Sequence, residues 1–129
     1  MTWSHDQLQH VENGNDFKVA PYRPDGTTPG TLIWVWAVVV DDAVFVRSAN
    51  PASRWFAAAL TQRAGIVESD NVQHAVQFEH VTDPLLQDRV DEQFARKYAA
   101  DPYLSPDVLE RSRERIARVT AVQPGEEQP

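Results

Sequence analysis

Residues 32–55 read LIWVWAVVVDDAVFVRSANPASRW, and they decide the fold. From Leu32 to Val40 the chain is apolar on both faces. Leu32, Trp34, Trp36, Val38 and Val40 point one way, and Ile33, Val35, Ala37 and Val39 the other. Alternation of period two with β-branched and aromatic residues marks a strand, and apolar character on both sides marks one covered on both sides, as in the centre of a sheet or a barrel wall. Asp41-Asp42 supplies a tight turn, since aspartate tolerates left-handed backbone. The return strand AVFVRS then runs into RSANPASRW, a polar junction with a proline placed where a helix can begin.

Outward from this hairpin the punctuation is clear. Ser4 and Gln7 form a capping-box pattern, with Trp3 and Leu8 as a hydrophobic staple, so the chain should open on a helix that stops near Gly14. DFKVA is a short strand, and PYRPDGTTPGT is a loop dense in turn formers. Trp55, Phe56, Ala59, Leu60 and Arg63 recur at helical spacing before Gly65. IVES and NVQHAVQFEHV form a second hairpin around Ser69-Asp70-Asn71. Asp83-Pro84 and Ser105-Pro106 each open a helix, the first carrying Leu86, Val90, Phe94 and Tyr98 on one stripe. IARVTAV is a last strand. Five to seven strands joined by hairpins, with three or four short helices and no βαβ alternation, predict an α+β fold whose antiparallel sheet closes into a small barrel. Residues 1–123 read as one domain and 124–129 as a flexible tail.

The composition excludes several functions. Of 129 residues, 42% are apolar and 24% charged, which predicts a globular chain. A net charge of −7 argues against nucleic-acid backbones and anionic membranes as partners. With no cysteine, disulfides, thiolate catalysis and cysteine-based zinc sites are excluded. The start lacks a signal-peptide pattern and no apolar run is long enough to span a bilayer, so a cytoplasmic protein is expected.

RSANPASRW reads in two ways. A helix beginning near Pro51 would present amide N–H groups and a favourable dipole to an anion, with Arg47, Ser48, Asn50, Ser53 and Arg54 as further donors. Alternatively, Ser48 or Asn50 caps the helix while the arginines pair with some of the nineteen carboxylates. Arg23 and Thr28 stand in the glycine-containing loop, which lacks either familiar nucleotide fingerprint. His74 and His80 share a strand face, too far apart along it to hold one metal ion. No metal-ligand spacing or hydrolase signature appears, and no metal is expected. Trp34, Trp36 and Trp55 are either core or the lining of a flat heterocycle's pocket.

APYRPDGTTPGT, LIWVWAVVVDDAVFVRSAN, SRWFAAALTQRAG and PLLQDRVDEQFARKYAADPYLSP together resemble the bacterial domain-of-unknown-function family 2255, over nearly the whole chain. The family's usual Asp-Gly hairpin turn is Asp41-Asp42 here. That family is grouped with flavin-binding split barrels, beside pyridoxamine phosphate oxidase-like and deazaflavin-dependent nitroreductase-like proteins. The resemblance implies an antiparallel six-stranded split β-barrel with three to four short peripheral helices, paired as a homodimer. It implies a cofactor, FMN or F420, whose phosphate is held by Arg47, Ser48, Asn50, Ser53 and Arg54, with Arg23 and Thr28 across the pocket. The expected function is a flavin- or deazaflavin-dependent oxidoreductase acting on a hydrophobic small molecule. Trp34, Trp36 and Trp55 would then bind substrate, and Tyr22 and His74 are the candidate proton donors. The other reading is a cofactor-free barrel, a cyclase, isomerase or small-molecule-binding protein of a biosynthetic pathway.

Overall fold

The computed structural model describes residues 3–122, so the tail expected over 124–129 lies outside the described residues. Four helices, α1 (His5–Asn13), α2 (Arg54–Gln62), α3 (Pro84–Lys97) and α4 (Pro106–Arg111), surround seven strands. The strands are β1 (Lys18–Pro21), β2 (Ile33–Trp34), β3 (Trp36–Val40), β4 (Ala43–Arg47), β5 (Ala64–Ser69), β6 (Val72–His80) and β7 (Ile116–Ala121). They form one antiparallel sheet in the order β2-β1-β5-β6-β7-β4-β3. No helix among the described residues is long and apolar enough to cross a membrane.

The sheet curls because its two edges are one piece of chain. β2 and β3 stand at opposite ends of the order, yet only Val35 separates them, and the Val35 N–H donates to the Phe17 carbonyl at 3.1 Å. The segment expected to be a single central strand is therefore broken in two, which raises the strand count from six to seven. Its apolar character on both faces has a different cause from the expected one. Val35 and Ala37 face the curled interior, whereas Val38 and Val40, with Trp36 beside them, are covered from outside by α3. An edge strand sandwiched in this way carries the same pattern as a central one.

Two cores follow from that alternation. The inner one is filled by Val19, Val44, Val46, Val67, Val76 and Val119, closed by Trp3, Leu8 and Val11 around α1 and by Phe56 and Ala59 of α2. The outer one lies between β3–β4 and α3–α4, where Val90, Phe94 and Tyr98 meet Val38, Phe45 and Ile116. The turns carry the expected chemistry: Asp41, Asp42, Asp70 and Asn71 all have positive φ, so both two-residue hairpins have the left-handed backbone that matches strand twist. Ser4 and Gln7 make the full capping box, and Ser53, Asp83 and Ser105 cap the other three helices.

α2 begins at Arg54, three residues later than expected, because Pro51 and Ala52 form a turn ahead of the Ser53 cap. It ends at Arg63, which takes the left-handed C-cap conformation with φ 61°, and not at Gly65. Gly65 lies within β5, where a Cβ would sit 2.6 Å from the Ala20 carbonyl oxygen and 2.7 Å from Pro21 Cα. Glycine is needed there for close approach of backbones. At the junction of α1, β3 and α3, the Lys97 ammonium donates to the carbonyls of Val11 (2.5 Å) and Ala37 (2.7 Å). Burial, opposed by Asp16 and Glu12, pulls its pKa from 10.5 down to about 8.

Two outcomes are expected. Gly65→Ala should destabilise by about 1–3 kcal/mol in chemical denaturation, the range for an overpacked site. The unfolded chain keeps the Lys97 proton to about 10.5 and the folded chain releases it near 8, so the unfolded state binds more protons across that window. Stability should therefore rise as pH increases from about 8. Tyr98, whose pKa burial raises in the folded chain, works against the rise above about 10, where an unfolded tyrosine ionises. Urea midpoints measured across this interval should climb, and Lys97→Met should flatten the climb.

Candidate functional site

The RSANPASRW junction is a heavily tied turn. Arg47 lies on the outward side of β4, between Phe45 and the helices, and is only 1% exposed. Its Nε donates to Ser112 Oγ at 2.8 Å, and its Nη2 donates to Asp91 Oδ1 at 2.6 Å and to the Leu109 carbonyl at 2.9 Å. The guanidinium stands over the Phe94 ring, 5.0 Å from its centroid. Burial lowers its pKa and Asp91 raises it back, which keeps an always-charged group in place by pairing. Asp91 uses its second oxygen for Arg113 at 2.9 Å, and Arg113 in turn holds Asp88 and Gln87. Arg47 is thus a clamp between the sheet and α3–α4, not an open donor.

The neighbouring polar residues are also engaged. Ser48 is buried and bonds within its own turn to Asn50, and Arg115 donates to the Ser48 and Ala49 carbonyls at 3.0 and 3.2 Å. The Asn50 carboxamide accepts from the Ala52 N–H, and Ser53 Oγ accepts from the Phe56 N–H. Arg54 is exposed, and among the described residues it has no carboxylate partner. Its backbone amide and that of Trp55 are the open donors of the first turn of α2. Of the five residues expected to hold a phosphate, Arg54 is the one whose side chain remains available.

The other expected residues are dispersed. Thr28 Oγ1 donates to Asp25, whose carboxylate also accepts the Thr27 and Thr28 N–H groups. Those bonds, the Thr28 hydroxyl first, hold the Asp25 pKa down to about 2. This loop joins the C-terminal side of α2, where the Tyr22 N–H donates to the Ala64 carbonyl at 3.1 Å. Nine residues of helix, roughly 13 Å, separate it from Arg54, so Arg23 and Thr28 are not brought to the Ser53–Arg54 turn. His74 pairs with Val67, three positions along β5 from Ala64 and one strand further across. Tyr22 and His74 are therefore about 10 Å apart along the strands alone and do not share a centre. His74 meets Trp3 edge-on at 5.4 Å, and burial lowers its pKa, which favours the neutral ring.

The tryptophans do not converge either. Trp34 and Trp36 touch each other at 5.7 Å, but Trp34 Nε1 donates to the Asn15 carbonyl and Trp36 Nε1 to Asp101 Oδ2, both outside the barrel. Trp55 sits on α2 beside Phe56.

What the sequence reading missed is an open groove of about 730 Å³ between the C-terminal end of α2 and strands β6 and β7. Leu60 and Arg63 form its helical wall, Gln77 and His80 line it from β6, and Arg118 and Thr120 from β7. Ser53 lies seven residues before Leu60, on the same helical face, so the capped turn stands at the N-terminal end of this wall. The His80 ring packs edge-on against Phe56, and its Nε2 donates to the Glu114 carbonyl at 2.6 Å; a carbonyl only accepts, so Nε2 carries the proton. The only local signal for the groove was the outward register of Gln77 and Glu79, which reads equally well as a solvated face.

The Arg47 clamp predicts a large asymmetry in stability. Asp91→Ala leaves a buried cation without its partner and should cost about 3–5 kcal/mol. Arg54→Ala should stay within about 0.5 kcal/mol of the parent. Denaturant midpoints for the two variants check this.

Among solved structures, the chain is similar to that of the conserved hypothetical protein Rv2991 from Mycobacterium tuberculosis, with a TM-score of 0.59 and 18% identity. The match covers 95% of this chain and 81% of that one, and the likeness is one of fold. No curated protein matches the chain. The family described as "Uncharacterized protein conserved in bacteria (DUF2255)" matches residues 7–119, and with most of its length in that match the chain belongs to this family.

Proposed function

We propose that this chain is a six-stranded split barrel, with residues 33–40 counted as one strand bent at Val35, that binds a flavin-type cofactor and acts as an oxidoreductase on a hydrophobic small molecule. The observation that carries the reading is the groove along α2. It is open and donor-rich beside the C-terminal end of α2, and the free amides and side chain of Arg54 stand at the other end of the same helix, roughly 13 Å away. The fit to FMN or F420 rests on Arg54 and the first-turn amides for the phosphate, since Arg47, Ser48, Asn50 and Ser53 are already engaged within the fold. Leu60, partly buried against the inner core, would offer apolar surface to a ring. When bound, such a cofactor would supply the hydride chemistry. The chain's own contribution would be to bind the anion, orient the ring along the helix and exclude water on one side.

A cytoplasmic homodimer is part of the same proposal. The groove is open on its solvent side, and a second copy would cover the bound ring. The packing lends no support to a cofactor-free barrel with an apolar ligand inside. Val19, Val44, Val46, Val67, Val76 and Val119, none measurably exposed beyond 1%, fill that interior, and the tryptophans lie elsewhere.

Titration of the purified protein with FMN and separately with F420, followed by fluorescence, tests the reading. Saturable binding of one of them, weakened about tenfold by Arg54→Ala at unchanged melting temperature, is the expected result. Absence of binding to both would sink the proposal.

A further inference from the structure

We propose that the groove itself, at Arg63 and Arg118, is a second anion site that recognises a phosphate or carboxylate group some distance from the one at Arg54. The inference rests on the groove being a ligand site, but not on the ligand being a redox cofactor. Its first support is electrostatic. In a chain of net charge −7, this groove is lined by two arginines, with a threonine hydroxyl and a glutamine amide beside them, against one carboxylate, Glu79. Glu79 reaches Arg118 at 3.4 Å and is 71% exposed, the geometry of a loose rim contact that a tighter anion displaces.

The second support is the state of the two arginines. Arg113 and Arg115 each donate to at least two oxygens, as Arg47 does, whereas Arg63 is exposed and has no carboxylate partner among the described residues. Arg63 also occupies a left-handed C-cap, where glycine is the low-energy residue. An arginine kept in such a conformation points to use of its side chain. Arg118 is steadied from below by the Phe45 ring, 5.5 Å from its guanidinium carbon, with its Nε buried there, and its outer end meets only the loosely held Glu79.

Two anion sites at the two ends of α2 select an elongated ligand with charge at both ends. A mononucleotide-type cofactor bearing one phosphate would use the Arg54 end alone. A ligand with a further acidic group beyond its ring would use both. The residue pair therefore bears on which ligand class is taken, as well as on where it lies.

The test is side-chain NMR of the arginine Nε–Hε groups while inorganic phosphate, and in a second arm glutarate, is added to the intact protein. Saturable shifts at Arg63 and Arg118, weakened about tenfold by Arg63→Gly and strengthened by Glu79→Gln, are expected. Arg63→Gly should keep or raise the melting temperature, so lost binding in that variant cannot be ascribed to unfolding. The stronger of the two arms identifies the anion as phosphate or carboxylate. Shifts confined to Arg54 and the first turn of α2 would overturn this inference while leaving the proposed function standing, and so would equal affinity in the parent and Arg63→Gly. No saturable shift at any arginine would overturn the second site outright, and F420 or FMN binding would then decide the first reading separately.

Discussion

One stretch of chain has to serve both edges of the sheet. Between Ile33 and Val40 the backbone pairs first with β1 and then with β4, changing neighbours across the single residue Val35. That constraint curls the sheet, sets which side chains look inward, and leaves the outer face of β3 and β4 bare unless something covers it. α3 and α4 are the cover, and the covering layer brings in its own requirement. Arg47, at the end of β4, must be neutralised where water cannot reach it. Asp91, Ser112 and the Leu109 carbonyl do so from three points of the helical layer. The strand that makes the barrel and the arginine that fastens its outer layer are thus parts of one hairpin.

The charge arrangement around that hairpin separates two kinds of arginine. Arg47, Arg113 and Arg115 face inward or along the turns and are committed to carbonyls and carboxylates of the fold. Arg63 and Arg118 border the groove, Arg54 stands at the other end of α2, and all three are committed weakly or not at all. A net acidic protein repels anions on average, but the field in a cleft is set by its nearest groups, and these are cationic.

Most of the fold was legible because its signals are local. The capping box at Ser4, the Asp41-Asp42 and Asp70-Asn71 turns, the Asp83 and Ser105 caps with their following prolines, and the stripe through Val90, Phe94 and Tyr98 each depend on neighbours within a few residues. The errors share one cause. Two-sided apolar character cannot tell a central strand from a covered edge, and a glycine cannot announce whether it stops a helix or lets two strands approach. The site was less legible because its partners are remote. Arg47 and Ser112 are 65 positions apart, so nothing near RSANPASRW told a clamp from a pocket. The groove residues come from α2, β6 and β7 and meet only after the sheet has curled.

The contact between Trp3 and β7 has a topological consequence. Its indole N–H reaches the Val119 carbonyl at 2.9 Å, which sets the first described residue against the last strand. A single buried indole therefore ties the segment ahead of α1 to the middle of the strand that links β6 to β4, so that the helix closing the inner core and the seam of the sheet loosen or hold together.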